Sequence, residues 1–276
     1  MTVTLGLDLG SGSIKGVLLE DGRRILAEGL APTRGQPAAV GREIVERLVE
    51  QANVLPGEVG YLCTTGFGRY AYPERNLQVS DITASARGAV LLAPGTHHVV
   101  DIGAQSSRAI AVNDTGRVLR FKMNEKCAAG AGRFVERCSK YLQVPLEEIS
   151  AKALTAQNPR TISSVCAVLA ESEIINNVAE GIPLPDILMG VLLSLAQRGH
   201  SLMRYVGIEP QVTLVGGLVG CSAMARALEQ TLGLPVNADP RGAYAAAVGA
   251  ALLGQVRLDR AAVAGTLPVA AGVPSV

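Results

Sequence analysis

Residues 5–25 read LGLDLGSGSIKGVLLEDGRRI, and residues 99–118 read VVDIGAQSSRAIAVNDTGRV; these two stretches decide the fold. When Asp8 is aligned with Asp101, a glycine follows two residues later in both stretches, and a basic residue follows seven residues later. Each stretch predicts an apolar strand, a turn of small residues, an alternating second strand and an Asp/Gly turn into a third strand. A repeat of this length predicts a duplicated domain with a functional site between the halves.

The repeated element carries groups suited to phosphate chemistry. A carboxylate at a strand end, Asp8 or Asp101, can hold Mg²⁺ through water, and the amides of a turn without bulky side chains can face phosphate oxygens. A third element, Gly216-Gly217, follows a short predicted strand. There the backbone can lie flat against a purine or ribose, because no Cβ stands in the way. One D-x-G-x-G turn alone often merely joins two strands, so the three elements are informative together.

Composition excludes several classes of function. The 276 residues are enough for two medium domains, and 48% apolar residues with 31 glycines are typical of a compact α/β protein with many tight turns. A net charge of +1 without Lys/Arg runs argues against nucleic acid or a membrane surface as partner. The chain starts in a strand without a leader pattern and has no apolar run of membrane-spanning length, so we expect a cytoplasmic protein.

Strands and helices are predicted to alternate along the chain. Predicted strands cover residues 3–9, 14–20, 24–30, 59–64, 213–215 and 236–237, with a second hairpin set from 98 to about 123. Predicted helices cover residues 38–53, 82–92, 129–142, 167–180, 186–206, 222–232 and 242–253. His97 and His98, at the start of a strand, are expected to face solvent.

The three glycine-containing elements, in this order, resemble the actin, sugar-kinase and Hsp70 ATPase superfamily. The resemblance implies an α/β fold with two RNase-H-like (actin-like ATPase) domains and a nucleotide cleft between them. The first domain is expected over residues 1–96 together with a C-terminal helix at about 255–276. The second is expected over residues 97–254 and carries the adenosine element.

Site residues follow from this resemblance position by position. Asp8 and Asp101 would hold the hydrated Mg²⁺ of ATP, Lys15 would reach a phosphate as a point charge, and Gln105 would orient the attacking water. The other predicted nucleotide-binding residues lie in the turns and the connecting helix: Gly10, Ser11, Gly12, Ser13, Gly103, Ala104, Gly216, Gly217 and Gly249. Two alternatives stay open: Lys15 as a solvent-facing strand lysine, and Gln105 as an ordinary turn residue.

Two of the five cysteines stand at predicted helix starts. Cys127 lies in KCAAGAGRF (126–134) and Cys166 in SSVCAVLAE (163–171), and a helix N-terminus favours a thiolate or an anionic cluster. Two cysteines per subunit are half of a four-thiolate set, which a dimer would complete. The alternative is that both are small buried apolar residues. The remaining cysteines are predicted to be structural: Cys63, Cys138 and Cys221.

The two cysteine segments, in an actin-like ATPase of this size, resemble the activator ATPases of 2-hydroxyacyl-CoA dehydratases and the ATPase subunits of benzoyl-CoA reductase. That resemblance implies one [4Fe–4S] cluster shared with an identical or paralogous subunit, each giving Cys127 and Cys166. It also implies a ferredoxin-type electron donor and a partner iron–sulfur protein that acts on a CoA thioester. ATP hydrolysis would then drive a low-potential electron into this partner.

The second phosphate turn separates the branches of this family. Dehydratase activators mostly read D-I-G-G-Q-D, whereas residues 101–106 read DIGAQS, with Ser106 where an aspartate is usual. This form favours the smaller ATPase subunit of benzoyl-CoA reductase, with a homodimeric dehydratase activator as the alternative. Two further hypotheses use the same fold: a small-molecule kinase, which leaves Cys127 and Cys166 unexplained, and a polymerising or chaperone-like ATPase, which needs more insertions than this length allows.

Overall fold

The computed structural model describes residues 2–124, 131–163 and 167–266. Cys127 and Cys166, the predicted cluster ligands, lie outside the described residues. Within them, the strands are β1 (Val3–Leu9), β2 (Ser13–Glu20), β3 (Arg24–Pro32), β4 (Val59–Thr65), β5 (Leu77–Gln78), β6 (His98–Ile102), β7 (Ser107–Val112), β8 (Val118–Asn124), β9 (Val212–Gly216) and β10 (Val236–Asn237). The helices are α1 (Pro37–Ala52), α2 (Asp81–Leu92), α3 (Gly132–Leu142), α4 (Leu146–Ala153), α5 (Ala167–Ala179), α6 (Leu184–Val206), α7 (Ser222–Leu232) and α8 (Ala245–Val263).

Two five-stranded sheets share one topology. The first has the order β3-β2-β1-β4-β5, and the second has the order β8-β7-β6-β9-β10. In each sheet the first two strands in sequence are antiparallel, while the fourth strand lies parallel to the first. The repeat in the sequence therefore corresponds to two copies of the same sheet, and the predicted α/β class with two RNase-H-like sheets is confirmed.

The central strand of the first sheet is covered on both faces. Every residue of β1 is buried, as is typical of a strand with helices on each side. Leu5 and Leu7 pack in a core cluster with Ile44 and Leu48 of α1. On the opposite face, Gly6 lies against the α8 backbone, where an added Cβ would collide with the Ala247 carbonyl oxygen. This close packing fixes β1, and with it the strand end at Asp8.

Packing divides the chain into two compact units. The first consists of the described residues of Met1–Gly95, Val112–Val118 and Tyr244–Val276, and the second of those of Thr96–Ala111 and Leu119–Ala243. The boundary expected near residue 255 differs from this division, since all of α8 belongs to the first unit. The reason is the glycine packing of α8 against β1. The β7–β8 turn also belongs to the first unit, where the Arg87 guanidinium donates to the Thr115 carbonyl oxygen.

Three local expectations were wrong. His98 is buried rather than solvent-facing, because every residue of β6 is covered, and burial lowers the pKa of its imidazole. The helix expected from residue 129 begins at Gly132, since Ala131 is extended. The helix expected from residue 242 to 253 instead runs from Ala245 to Val263, preceded by a 3₁₀ turn. Helix α4 was not predicted at all; Ile149 and Ala153 bury its inner face.

None of the described helices combines the length and hydrophobicity that crossing a bilayer requires.

Candidate functional site

The first hairpin joins Asp8 to Lys15. Strand register sets the two residues opposite each other on β1 and β2, and the Lys15 Nζ lies 3.3 Å from Asp8 Oδ2. Both side chains are largely buried, with exposed fractions of 11% for Lys15 and 12% for Asp8. The alternative of a solvent-facing Lys15 is therefore wrong. The ammonium group stands beside the carboxylate at the start of the predicted phosphate turn.

The first turn is held in place by Thr33. The Thr33 hydroxyl donates to the Gly10 carbonyl oxygen at 2.7 Å, and the Thr33 amide donates to the Gly12 carbonyl oxygen at 3.1 Å. In a planar trans peptide the N–H points opposite to the C=O. Because the Gly10 carbonyl points at Thr33, the Ser11 N–H points away from it. The brace thus orients an amide of the turn as a donor.

The second hairpin repeats the ion pair with arginine in place of lysine. Asp101 lies opposite Arg108, and the Arg108 guanidinium is 2.9 Å from Asp101 Oδ2. The same guanidinium donates to Ser106 Oγ at 2.9 Å. Exposed fractions are 11% for the Arg108 side chain and 7% for that of Asp101. The pair is therefore as buried as its counterpart, and the cation is held by a second group.

The second turn is braced by the start of α3. The amides of Gly132 and Arg133 donate to the carbonyl oxygens of Gly103 and Ala104, each at 2.9 Å. By the same peptide geometry, the N–H groups of Ala104 and Gln105 point away from α3. The turn itself is closed by the Gly103 amide, which donates to the Ser106 carbonyl oxygen at 2.9 Å. Two amides are thereby oriented together, which is the arrangement that anion-binding concavities use.

A glycine at the end of the neighbouring parallel strand faces each aspartate. Gly216 ends β9 with φ +93°, and a Cβ added to it would lie 2.7 Å from Asp101 Oδ1. Gly66 follows β4 with φ +87°, and its added Cβ would come closer to Asp8 Oδ1 than the 3.0 Å that real Cβ atoms respect. Sequence reasoning identified Gly216 and missed Gly66. Both glycines follow a strand that pairs in parallel with the aspartate strand, and this pairing is not visible in the sequence.

The remaining predicted site residues lie in different surroundings. Gln105 is exposed at the tip of the second turn. Gly217 donates its amide to the Ile102 carbonyl oxygen at 3.0 Å, and a Cβ added there would find its nearest neighbour only at 4.0 Å. Gly249 lies in the contact between α8 and α2, against the Ala84 carbonyl oxygen. Its location is that of a helix-packing residue.

The cysteines within the described residues lie in nonpolar surroundings. Cys63 on β4 and Cys138 on α3 are buried, and burial raises the pKa of each thiol to about 12. Such thiols stay neutral and are poor metal ligands. The described part of the chain gathers no group of three or more His, Cys, Asp or Glu side chains that could bind a metal directly. The carboxylates of Asp8 and Asp101 each suit a Mg²⁺ ion, because that ion keeps several waters and takes only one or two carboxylates together with substrate phosphates.

Comparison with known proteins agrees with this geometry. The model of the BadF/BadG/BcrA/BcrD ATPase family matches residues 5–254. A benzoyl-CoA reductase subunit of Thauera aromatica is 37% identical over 280 residues, covering 98% of this chain and 99% of that protein. The 2-hydroxyisocaproyl-CoA dehydratase activator of Clostridioides difficile is 33% identical over 249 residues, covering 90% of this chain and 93% of that protein.

A solved structure extends the likeness to three dimensions. The activator of the 2-hydroxyisocaproyl-CoA dehydratase from Clostridium difficile, solved with bound ADPNP, superposes with a TM-score of 0.89 at 31% identity. The match covers 95% of this chain and 98% of that chain.

Proposed function

We propose, from the premise that this chain belongs to the BadF/BadG/BcrA/BcrD ATPase family, that it is an ATP-hydrolysing iron–sulfur subunit that drives electrons into a partner enzyme of CoA thioesters. The observation that carries the proposal is the duplicated hairpin. Each copy has a buried aspartate paired with a cation, followed by a turn whose amides are oriented by a separate brace. Such a pair of elements suits a triphosphate and its metal ion.

Nucleotide binding would use the two hairpins in complementary ways. The Ser11 amide and the amides of Ala104 and Gln105 would donate to phosphate oxygens. Lys15 would leave Asp8 and bind a phosphate as a point charge, since its ammonium is a compact group on a flexible stem. The other residues of the first turn, Gly12 and Ser13, keep the backbone free of bulk near the phosphates.

Asp8 and Asp101 would hold Mg²⁺ through its water shell. Both carboxylates are buried and already paired with a cation. Gln105 is exposed at the turn tip, where its side-chain amide could orient the attacking water. The paired glycines Gly216 and Gly217 would line the adenosine.

Coupling to electron transfer is proposed through α3. Its first two amides bind the second phosphate turn, so a movement of this turn on nucleotide binding would move the start of the helix. Cys127 precedes Gly132 by five residues in the sequence. We assign Cys127 and Cys166 as the thiolates of a [4Fe–4S] cluster shared with a second subunit. Such a cluster supplies one-electron chemistry, and its potential responds to burial and hydrogen bonding.

The partner is proposed to be an iron–sulfur component that acts on a CoA thioester, with a ferredoxin-type protein as electron donor. Relatives from both branches, a benzoyl-CoA reductase subunit and a dehydratase activator, align with nearly the whole chain. The DIGAQS turn favours benzoyl-CoA reductase, and an activator of a 2-hydroxyacyl-CoA dehydratase is the alternative. Assays of the anaerobically purified complex with benzoyl-CoA and with 2-hydroxyacyl-CoA substrates separate the two.

Iron content tests the cluster assignment. Cys127→Ser and Cys166→Ser should each lose the cluster iron of the anaerobically purified protein, while nucleotide binding is retained. Cys138→Ala is the matched control: it removes a buried thiol with a pKa of about 12 and should leave the iron unchanged. A full cluster in either serine variant would remove that cysteine from the ligand set. Absence of iron from the wild-type protein, reconstituted with iron and sulfide, would refute the redox function and leave an ATPase.

A further inference from the structure

Two helices follow the proposed cluster cysteines in the sequence. Helix α3 begins at Gly132, five residues after Cys127. Helix α5 begins at Ala167, directly after Cys166. The start of α3 is bound to the second phosphate turn through two backbone amides. A movement of that turn therefore reaches α5 through α3 where the two helices are rigidly joined.

Apolar packing holds α3 and α5 together without fixing their register. Phe134 and Cys138 of α3 share a core cluster with Ala170 and Ile174 of α5. Hydrophobic contact is non-directional, so such packing resists separation of the helices more than the sliding of one along the other. A directional contact is needed to transmit a movement along the helix axes.

Glu171 of α5 supplies a directional contact with two residues of α3. Its Oε1 lies 2.5 Å from the Arg137 guanidinium, and its Oε2 accepts a hydrogen bond from the Tyr141 hydroxyl at 3.3 Å. Arg137 and Tyr141 are four residues apart, so they share one face of α3. The side chain of Glu171 is only 12% exposed, so its carboxylate relies on these two partners in place of water.

A second glutamate extends the connection to the chain before Cys166. The Ser163 amide donates to Glu173 Oε2 at 2.6 Å. Ser163 precedes Cys166 by three residues, and Glu173 lies in α5. A displacement of α5 thus reaches both of the chain segments that flank Cys166 in the sequence.

We propose that Glu171 is a positioning residue that makes α3 and α5 move together when nucleotide binds at the second phosphate turn. The inference rests on the proposed function, since it concerns how nucleotide binding reaches the helices that follow the two cysteines. The turn moves the start of α3, α3 moves Glu171 through Arg137 and Tyr141, and Glu173 moves Ser163. Coupling between distant sites is carried by such hydrogen bonds and ion pairs between rigid elements.

The test measures distances within the second unit by electron paramagnetic resonance. Nitroxide labels are attached, through an introduced ketone amino acid, at the exposed positions of Lys140 in α3, Asn176 in α5 and Gln197 in α6. The α3–α6 pair and the α5–α6 pair then report how each helix moves relative to α6. In protein with the native Glu171, the ATP analogue ADPNP with Mg²⁺ should shift both distances.

The decisive variant is Glu171→Met, which keeps the length of the side chain and removes both acceptor oxygens. The nucleotide-dependent shift of the α5–α6 distance should be lost, while that of the α3–α6 distance is retained. ADPNP affinity should stay within about twofold of wild type, because the amides of the phosphate turns are untouched. Arg137→Lys keeps the cation and should retain the α5 shift, a rescue that a merely space-filling role does not require.

Glu148→Met is the matched control, since it removes an ion pair that lies within one helix. Glu148 Oε2 is 3.4 Å from Lys152 Nζ, and both residues belong to α4. Both nucleotide-dependent shifts should persist in this variant. If Glu171→Met does not fold, Arg137→Met combined with Tyr141→Phe breaks the same contact from α3 and should give the same loss.

Three outcomes overturn the proposal. The first is a native α5 shift in Glu171→Met, and the second is an equal loss of the α3 and α5 shifts, which would indicate general loosening of the unit. The third is a protein with the native Glu171 that binds ADPNP without movement of α5. Wild-type protein that binds no nucleotide refutes the proposed function itself, a result visible before any variant is made.

Discussion

The hairpins at Asp8 and Asp101 share strand order, register and a buried ion pair, but they hold their cations differently. Lys15 donates to Asp8 at 3.3 Å, whereas Arg108 donates to both Asp101 and Ser106 at 2.9 Å. An ammonium on a flexible stem can turn to a new partner, while a guanidinium with two fixed acceptors stays in place. This difference indicates that Lys15 of the first hairpin can bind a ligand, whereas Arg108 of the second hairpin has a structural role.

The braces of the two turns differ in the same sense. Thr33, which holds the first turn, comes directly after β3 of the same sheet, so that turn is fixed within its own hairpin set. The second turn is held by Gly132 and Arg133, the first residues of α3, a helix that buries Phe134 and Val135. A change at the second turn therefore reaches a separate element, and a change at the first does not.

The largest expected effect comes from removing either carboxylate charge. Asp8→Asn and Asp101→Asn should each lower kcat for ATP about 100-fold or more, because each removes a charge from the metal's surroundings. Asp101→Asn should also lower the free energy of unfolding by about 3 kcal/mol, since Arg108 cannot lose its proton and stays buried beside a neutral amide in place of the carboxylate. Steady-state kinetics and denaturant unfolding check the two effects. Wild-type turnover in both variants would show that the repeated aspartates have no role in ATP hydrolysis and that the repeat reflects only a duplicated fold.

Replacing the two cations separates a ligand-binding charge from a structural one. Lys15→Met should raise KM for ATP about tenfold, the size expected for one charge-assisted hydrogen bond to phosphate. Arg108→Met should leave KM within about twofold and instead lower the free energy of unfolding by about 3 kcal/mol, because Asp101 loses its buried partner. Kinetics at saturating Mg²⁺ and unfolding in urea measure both. Equal KM increases in the two variants would show that the hairpins contribute alike.

The smallest expected effect concerns the brace of the first turn. Thr33→Val removes the hydroxyl donor to Gly10 but keeps the backbone hydrogen bond to Gly12, so it should cost about 1 kcal/mol of stability. Turnover should change by less than about threefold, as the turn keeps one of its two ties. Thr155→Val is the matched control, since its hydroxyl donates to a helix-end carbonyl oxygen at an exposed position. A loss no greater than in this control would mean that Thr33 does not brace the turn.

The repeated hairpins were predictable because their signals are local. Alternation with a period of two residues gives the strands, and the spacing of Asp8 and Lys15 gives their pairing across a short turn. The family assignment is confirmed for the same reason, since its motifs are contiguous in sequence. Elements without such periodicity, above all α4, were missed. Its eight residues are too few for a helical pattern to stand out.

Contacts between distant segments could not be predicted. The hydrogen bonds from Gly132 and Arg133 to the second turn join residues 29 positions apart along the chain. Neither segment has a sequence pattern that predicts this contact. Gly66 was missed because its partner, Asp8, lies on another strand, and the turn around it looks like an ordinary loop. Burial of His98 likewise depends on β6 being the centre of its sheet, which is a property of the assembled topology. The predicted roles of the nucleotide-site residues stay predictions.

Hydrogen exchange at the two amides at the start of α3 reports on local opening of the second turn. Because the N–H groups of Gly132 and Arg133 end on the Gly103 and Ala104 carbonyl oxygens, each can exchange with deuterated solvent only while the turn and the helix are apart. Their exchange rates therefore measure how often the start of α3 separates from the second turn. Amide exchange at Gly132 and Arg133 would thus detect openings that the closed structure does not show.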